Sequence, residues 1–227
     1  MLQPVAVENK QTLTFLVVDD QELALYATIN VLKPQYPDVK IIEAQNAQEA
    51  LNLIASNPTL PDLAIVDLSM PQTAGESART DAGIQLLRTL MEKYHSLNIV
   101  VQSAYPRSLI RLKALISSHE GGFTVADKSL PMKEMLAKVD WALNGVIYTP
   151  KEMRTVLEVK PEWLEMLEWA FKKGLQDKEI AKQMQIAERT VRHYWRNVQN
   201  VLEVYPDDGK NLRIQTEIRA REEGLID

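Results

Sequence analysis

The chain has 227 residues, of which 45% are hydrophobic and 25% charged, and it contains no cysteine. This composition is typical of a globular protein, and the length favours two modest domains over one. The lack of cysteine excludes disulfides, thiolate metal sites and cysteine nucleophiles. The sequence shows no signal-peptide pattern and no apolar stretch of about 18 residues, so we expect a cytoplasmic protein with no membrane partner.

In the first part of the chain, short apolar runs alternate with helical patterns. This alternation predicts β-α-β units and a parallel sheet with helices on both faces. Five strands are predicted, at Thr14 to Val18, Lys40 to Glu43, Leu63 to Val66, Ile99 to Gln102 and Phe123 to Val125. Helices are predicted at Leu23 to Leu32, Ala47 to Ala55, Gly83 to Tyr94, Ser108 to Ser118 and Met132 to Leu143. We therefore expect a doubly wound α/β domain with a five-stranded parallel sheet over residues 1–143.

The strand pattern stops after this region. Residues 144–160 have no clean periodicity and carry Gly145 and Pro150, which indicates a linker. Residues 161–227 then predict a small all-α domain of four helices. These helices are Glu162 to Lys173, Asp177 to Met184, Glu188 to Leu202 and Lys210 to Glu223.

Polar and charged residues stand at the carboxyl ends of the predicted strands. Asp19 and Asp20 end the first strand, Asp67 the third and Ser103 the fourth, and Lys128 follows the fifth. Ligands of open parallel sheets bind at this edge. Three carboxylates in one crevice repel one another, and a hard divalent cation such as Mg²⁺ would relieve the repulsion. A lysine opposite them would balance the remaining charge.

These residues carry a family resemblance. The Asp19-Asp20 pair, Asp67 followed by Met70-Pro71, Ser103-Ala104 and the run Lys128 to Pro131 occur in order at strand ends. Together they resemble the receiver domain of two-component response regulators, over roughly residues 13–143. The resemblance implies a flavodoxin-like fold. It also implies that a sensor histidine kinase or a phosphotransfer protein is the partner that phosphorylates Asp67.

The resemblance assigns a role to each residue of the crevice. Asp67 would accept the phosphoryl group as a nucleophile. Asp20 would bind Mg²⁺ directly, with Asp19 acting through water and the backbone carbonyl of Ser69 contributing. Lys128 would neutralise the oxygens of the transferring group, and Ser103 would form a hydrogen bond with the phosphoryl group.

The sequence departs from the receiver pattern in two places. The loop from Gln72 to Thr80 is about seven residues longer than usual, and we interpret it as a tolerated surface insertion. It could instead alter access by a kinase or shield the acyl phosphate from water. Val125 occupies the position where many receivers have an aromatic switch residue, and Phe123 lies two residues earlier. Either the alignment slips there, or the state change is transmitted differently, or the domain responds weakly to phosphate.

The helical part contains a second motif. The net charge of the chain is −5, which argues against nucleic acid as a partner, but residues 171–200 carry seven Lys and Arg against three Asp and Glu. The segment from Gly174 to Ala181 predicts a turn, an Asp177 cap and a short helix, and a longer helix follows from Glu188. The longer helix has a buried stripe of Val191, Tyr194, Trp195, Val198 and Leu202. Tyr194 and Trp195 are interpreted as core or dimer packing.

The segment from about Pro161 onward resembles the LuxR-type helix-turn-helix domain, most clearly over Gly174 to Val204. The resemblance implies binding to double-stranded DNA, and a homodimer at least on DNA. Arg192, His193 and Arg196 would lie nearest the base edges in the major groove, and Lys178 and Thr190 would contact phosphates.

The resulting hypothesis is a phosphorylation-controlled transcription regulator. Its enzymatic chemistry would be limited to autocatalytic acceptance and hydrolysis of an aspartyl phosphate. Two alternatives stay open. One is an orphan regulator that binds DNA independently of phosphorylation, and the other is an adaptor whose helical domain binds a protein.

Overall fold

The computed structural model describes residues 12–104, 106–150 and 159–227. The chain divides into two compact units. One unit comprises residues 1–104 and 119–148, and the other comprises residues 105–118 and 149–227.

The first unit is built on a parallel sheet in the order β2-β1-β3-β4-β5-β6. Its strands are β1 (Thr14–Val18), β2 (Lys40–Ala44), β3 (Leu63–Asp67), β4 (Asn98–Ser103), β5 (Phe123–Asp127) and β6 (Ile147–Tyr148). The order doubles back after β2, so the carboxyl ends of β1 and β3 are neighbours. β3 is buried along its whole length, as the apolar run from Leu63 to Val66 predicts.

The sheet has one strand more than the five predicted. β6 pairs in parallel with β5, with Phe123 opposite Ile147 and Thr124 opposite Tyr148. It lies in the segment predicted as a linker. A strand of two residues is too short to show the alternation from which strands are predicted.

The described residues of the first unit form the helices α1 (Glu22–Gln35), α2 (Ala47–Ser56), α3 (Thr80–Lys93) and α5 (Met132–Leu143). The helix α2 begins at a side-chain cap, because Asn46 Oδ1 accepts a hydrogen bond from the Glu49 backbone N–H at 2.9 Å. A core cluster of this unit joins strand and helix residues, among them Phe15, Ile65, Val100 and Val139, all of them fully buried.

The second unit is helical. It contains a 3₁₀ segment (Pro106–Leu112), α4 (Lys113–Ser118), α6 (Pro161–Leu167), α7 (Asp177–Gln183), α8 (Glu188–Val201) and α9 (Leu212–Glu222). In the stripe predicted for the longer helix, Val191, Trp195, Val198 and Leu202 are at most 3% exposed. Tyr194 is half-buried and packs against the same core. The prediction of a helical second domain with this buried stripe is confirmed.

The predicted helix Ser108 to Ser118 is wrong over its first half, which is a 3₁₀ helix from Pro106 to Leu112. Contacts distant in sequence accompany this tighter winding. Arg111 Nε donates to the Gly224 carbonyl at 3.0 Å, and its guanidinium pairs with the Asp227 carboxylate. Gly224 has a φ of +72°, and a Cβ there would lie 2.8 Å from the Ser108 backbone nitrogen. Only glycine fits this close approach.

The first helix of the predicted four-helix domain also differs from the prediction. Instead of one helix over Glu162 to Lys173, α6 ends at Leu167 and a π-helical turn follows at Glu168–Lys172. A single π turn of five residues inside a helical segment is too short for its own side-chain spacing to be visible in the sequence. In the part of the chain that the structure describes, no helix combines the length and apolarity that crossing a membrane requires.

Candidate functional site

Three carboxylates meet at the carboxyl edge of the sheet. Asp67 is the last residue of β3, and Asp19 and Asp20 directly follow β1. Each of the three offers an oxygen within 4.8 Å of the others. Asp19 is 1% exposed and Asp67 is 4% exposed. The edge of the sheet therefore concentrates negative charge in a place that water reaches poorly.

Lys128 bridges two of these carboxylates. Its Nζ lies 2.9 Å from Asp19 Oδ2 and 2.9 Å from Asp67 Oδ2. The lysine directly follows β5, and its backbone N–H donates to the Ser103 carbonyl at 3.2 Å, which fixes the start of the side chain. The bridge offsets part of the repulsion between Asp19 and Asp67.

The pKa values of this pair reflect burial and charge together. Burial raises the pKa of Asp67 above its ordinary value, and the attraction of Lys128 offsets the rise only in part. For Lys128, burial alone would lower the pKa, but the carboxylates of Asp19 and Asp67 outweigh it and raise the pKa. Lys128 is therefore a stable ammonium at neutral pH.

The remaining oxygens fit a divalent cation. Both oxygens of Asp19 already have hydrogen-bond partners. Its Oδ1 accepts from the Gln21 backbone N–H at 3.0 Å, and its Oδ2 accepts from Lys128 Nζ at 2.9 Å. Asp20 is different, because its Oδ1 is buried and has no hydrogen-bond partner among the described residues. A buried carboxylate oxygen without a partner is costly. The cluster is thus compatible with Mg²⁺, which prefers oxygen ligands of this kind.

Ser103 and Ser69 lie on the segments next to the carboxylates. Ser103 is the last residue of β4 and is 6% exposed, opposite Asp127 in the register of β5. Ser69 is exposed two residues beyond Asp67 and donates its backbone N–H to Asp67 Oδ1 at 3.3 Å. The structure thus joins Asp19 and Asp67 through Lys128, brings an oxygen of Asp20 within 4.8 Å of both, and places both serines at the same edge of the sheet.

Gly83 is a residue of this region that the sequence did not single out for a role. A Cβ at Gly83 would lie 2.1 Å from the Leu68 carbonyl oxygen, which no side chain permits. The glycine therefore lets α3 approach the backbone that directly follows Asp67. The signal available in the sequence was the Asp81-Ala82-Gly83 run after the long loop.

The long loop is anchored at its base. Arg79 donates its backbone N–H to the Met70 carbonyl at 2.9 Å, and an isolated antiparallel bridge joins these two residues. The carbonyls of Pro71 and Gln72 accept from the first N–H groups of α2, at 3.2 and 3.0 Å. Residues 73–79 are all exposed. In β5, Val125 is 2% exposed and Phe123 is fully buried, so the predicted switch position holds a buried valine.

The residues predicted to contact DNA lie on α7 and α8 of the second unit. Lys178, Arg192, His193 and Arg196 are exposed, and Thr190 is half-buried. Arg192 pairs with Glu188 one turn earlier, at 2.5 Å. His193 Nε2 lies 3.0 Å from Asn197 Nδ2. With the apolar stripe of α8 buried, these side chains form a donor-rich outer face suited to a major groove.

Comparison with known families settles the assignment. Residues 15–140 match the family described as "Response regulator receiver domain". The chain belongs to this family. Residues 163–206 of the response regulator match "Bacterial regulatory proteins, luxR family". The protein is a two-component response regulator that controls transcription, with a receiver domain followed by a LuxR-type DNA-binding domain.

Relatives of the response regulator carry matching descriptions. It is 28% identical over 196 residues to the "Glycerol metabolism activator" of Pseudomonas putida, covering 78% of this chain and 83% of that protein. It is 24% identical to "Transcriptional regulatory protein YdfI" of Bacillus subtilis (strain 168), covering 93% and 96%. Its fold is similar to RcsB from Salmonella enterica serovar Typhimurium bound to promoter rprA, with a TM-score of 0.57 and 19% identity, covering 92% and 99%.

Sequence reasoning also missed a polar contact at the start of α7. Asp177 was predicted to cap its helix, but Asp177 is the first residue of α7, and Gln176, which takes the cap position, forms no side-chain cap. The Asp177 carboxylate instead accepts hydrogen bonds from Arg213 and Trp195. Both partners are distant in sequence, so no local pattern could have indicated this arrangement.

Proposed function

We propose that this regulator accepts a phosphoryl group on Asp67 and that phosphorylation controls its sequence-specific binding to double-stranded DNA. The donor would be the phosphohistidine of a sensor histidine kinase or a phosphotransfer protein. The observation that carries the proposal is the position of Lys128, whose ammonium lies 2.9 Å from both Asp19 and Asp67 beside the unpartnered oxygen of Asp20. In this proposal the receiver domain spans residues 1–143, the linker 144–160 and the DNA-binding domain 161–227.

The transfer balances without a further reactant. A carboxylate oxygen of Asp67 attacks phosphorus, the P–N bond to histidine breaks, and the electron pair leaves with the histidine nitrogen, which takes up a proton. Lys128 balances the charge of the phosphoryl oxygens, and Ser103 donates a hydrogen bond to one of them. Asp20, Asp67 and the Ser69 carbonyl would hold Mg²⁺, and Asp19 would act through water. When bound, Mg²⁺ supplies positive charge that lowers the repulsion between the carboxylates and the incoming group.

The same groups account for the limited enzymatic chemistry that we assign. Water attacking phosphorus would break its bond to the Asp67 oxygen, release inorganic phosphate and return Asp67 to its free carboxylate, with Lys128 still balancing charge. We therefore infer autocatalytic acceptance and hydrolysis of the aspartyl phosphate and no turnover of another substrate.

DNA binding is assigned to the outer face of α8. Arg192, His193 and Arg196 would read base edges, and Lys178 and Thr190 would contact phosphates. The solved RcsB complex with promoter rprA supports a DNA-bound state for this fold. A homodimer on DNA is part of the proposal, since paired half-sites are the usual target of helix-turn-helix regulators.

Control by phosphorylation is supported by the division of the chain. Ser103 ends β4, and the 3₁₀ segment that begins at Pro106 belongs to the helical unit. Within that unit, Arg111 is held by Gly224 and Asp227. A change at Ser103 therefore has a short covalent path to a segment that packs within the helical unit, and this path does not require an aromatic residue at Val125.

Labelling with acetyl phosphate and Mg²⁺ tests the assigned nucleophile. We expect one phosphoryl group per chain by intact mass, and none in Asp67→Asn. Asp38→Asn is the matched control, because Asp38 is an exposed aspartate of the same unit. Labelling of the Asp67→Asn protein would overturn the assignment.

An orphan regulator that binds DNA regardless of phosphate is the second candidate. The buried Val125 favours it, because the usual aromatic switch is missing from that position. Equal affinity for a DNA fragment before and after complete phosphorylation would establish it.

A further inference from the structure

A three-residue cluster joins the three helices α7, α8 and α9 of the DNA-binding unit. Arg213 Nη2, in the first turn of α9, lies 2.7 and 3.0 Å from the two carboxylate oxygens of Asp177 at the start of α7. The Arg213 guanidinium carbon lies 3.6 Å from the centre of the Trp195 ring on α8. Trp195 Nε1 completes the triangle by donating to Asp177 Oδ1 at 3.1 Å. Each member therefore contacts the other two.

The cluster has a fixed base. Trp195 is 3% exposed and packs edge-on against Phe171, with ring centres 5.4 Å apart. The start of α9 is also fixed, because Asn211 Oδ1 accepts hydrogen bonds from the backbone N–H groups of Arg213 and Ile214 at 2.9 and 3.2 Å. The cluster is thus more ordered than an exposed ion pair, in which two long side chains are free to separate.

The position of Trp195 links this cluster to base reading. Trp195 lies one residue before Arg196 and three residues after Arg192 on the same helix, so the rotation of α8 at Trp195 sets the direction of both arginines. Side-chain tips of an α-helix lie about 5–6 Å from its axis, so a rotation of about 10° moves them by about 1 Å. A shift of about 1 Å weakens a hydrogen bond to a base edge, since donor and acceptor must lie within a few tenths of an ångström of their ideal separation.

We propose that Arg213 is a positioning residue for DNA sequence recognition, which holds the rotation of α8 through Trp195 and Asp177 without itself contacting DNA. The proposal rests on the proposed DNA binding by α8. Arginine is required in this role because its planar guanidinium stacks on the indole while it binds the carboxylate, and lysine cannot do both. The alternative is that Arg213 is a phosphate contact, since its side chain is 41% exposed.

The test compares specific and non-specific binding of the full-length phosphorylated protein. The probes are a fragment that the wild type selects from a random-sequence DNA pool and a scrambled duplex of equal length and composition. For Arg213→Gln and Arg213→Lys we expect the affinity ratio between the two probes to fall about tenfold, the range of one lost base contact. Affinity for the scrambled duplex and its dependence on salt should stay at the wild-type values.

Arg219→Gln is the matched control, because Arg219 is on the same helix, its side chain is 44% exposed, and it pairs with Glu222 and Glu223 at the end of that helix. It should retain the wild-type ratio. Asp177→Asn should reduce the ratio as Arg213→Gln does, and the double variant should be no worse than either. Trp195→Phe keeps an aromatic ring in the core but removes the indole N–H, so the affinity ratio between the two probes should fall by less than in Arg213→Gln. Thermal unfolding of each variant identifies any that do not fold, and the remaining variants then decide the outcome.

Two results would overturn the proposal. If Arg213 contacts phosphate, Arg213→Gln weakens both probes equally and lowers the slope of log affinity against log salt by about 0.9. If the cluster only supports the fold, Arg213→Gln lowers the unfolding temperature and leaves the ratio unchanged. Failure of the wild type to select any DNA would instead overturn the proposed function, so the two failures are distinguishable.

Discussion

Lys128 Nζ lies 2.9 Å from Asp67 Oδ2, and among the described residues no other cation forms an ion pair with that carboxylate. Lys128 reaches it from the end of β5, while Asp67 ends β3, so β4 lies between the two strands. In this geometry the ammonium lies beside the place that the oxygens of a phosphoryl group on Asp67 would take.

Replacing Lys128 should slow phosphorylation strongly. In Lys128→Met, we expect the rate of labelling by acetyl phosphate with Mg²⁺ to fall by about 10²-fold or more, the usual cost of removing a charge-stabilising donor from such a site. Lys133→Met is the control, because Lys133 is an exposed lysine at the start of α5. Intact mass against time measures both rates. A Lys128→Met protein labelled as fast as the wild type would show that the ammonium has no part in the transfer.

Gly83→Ala should disturb the segment that follows Asp67. The new Cβ would meet the Leu68 carbonyl at 2.1 Å, so α3 must move away, at a cost of about 1–3 kcal/mol in the free energy of unfolding. We also expect slower labelling of Asp67. Gly75→Ala is the control, since Gly75 is in the exposed loop and a Cβ added there would have no atom within 4 Å, although its φ is +86°. Urea unfolding and labelling rates measure the two effects, and equal labelling by both variants would contradict the assigned role of Gly83.

Glu188→Gln should strengthen DNA binding. Glu188 pairs with Arg192 at 2.5 Å on the exposed face of α8, and such a pair contributes only about 0.3–0.5 kcal/mol to stability. Removing the carboxylate leaves Arg192 without this partner and takes a negative charge off the face proposed to bind DNA, so we expect affinity for DNA to rise by about threefold or more at low salt. Glu217→Gln removes a comparable i,i+4 partner, that of Arg221 on α9, and should have no effect. Unchanged or weaker binding by Glu188→Gln would place Arg192 away from the DNA.

Arg111→Gln should weaken the link between phosphorylation and the helical unit. The Arg111 side chain is 5% exposed, and its loss leaves Asp227 without this partner. We expect the free energy of unfolding to fall by about 1.5–3 kcal/mol, as for other hydrogen bonds to charged groups. DNA affinity should also depend less on phosphorylation. Lys113→Gln, at an exposed lysine that directly follows the 3₁₀ segment, serves as the control. If phosphorylation changes the DNA affinity of Arg111→Gln as much as that of the wild type, the 3₁₀ segment does not transmit the effect of phosphorylation.

Most of the fold could be predicted because its signals are local. Unbroken apolar runs such as Leu63 to Val66 and the stripe of α8 determine which element forms and which face is buried. The meeting of Asp19, Asp20 and Asp67 also followed from local patterns, because parallel strands share one carboxyl edge. Their chemical roles remain a proposal.

The features that sequence did not predict depend on distant residues. The 3₁₀ winding of Pro106–Leu112 accompanies the contacts of Ser108 and Arg111 with Gly224 and Asp227, more than 100 residues later. Asp177 was predicted to cap a helix from its position in the sequence, but its carboxylate accepts a hydrogen bond from Arg213 of α9 instead. No periodicity within a single element records such partners.

The central claim is that phosphorylation of Asp67 controls DNA binding, and an affinity measurement tests it most directly. The probe is a duplex that the wild type selects from random sequence, titrated with and without acetyl phosphate and Mg²⁺, with labelling checked by mass. We predict that wild-type affinity rises by about tenfold on phosphorylation, within the usual range of coupling between sites, and that Asp67→Asn shows no change. Fully labelled wild-type protein that binds the duplex no more tightly than unlabelled protein would contradict the account.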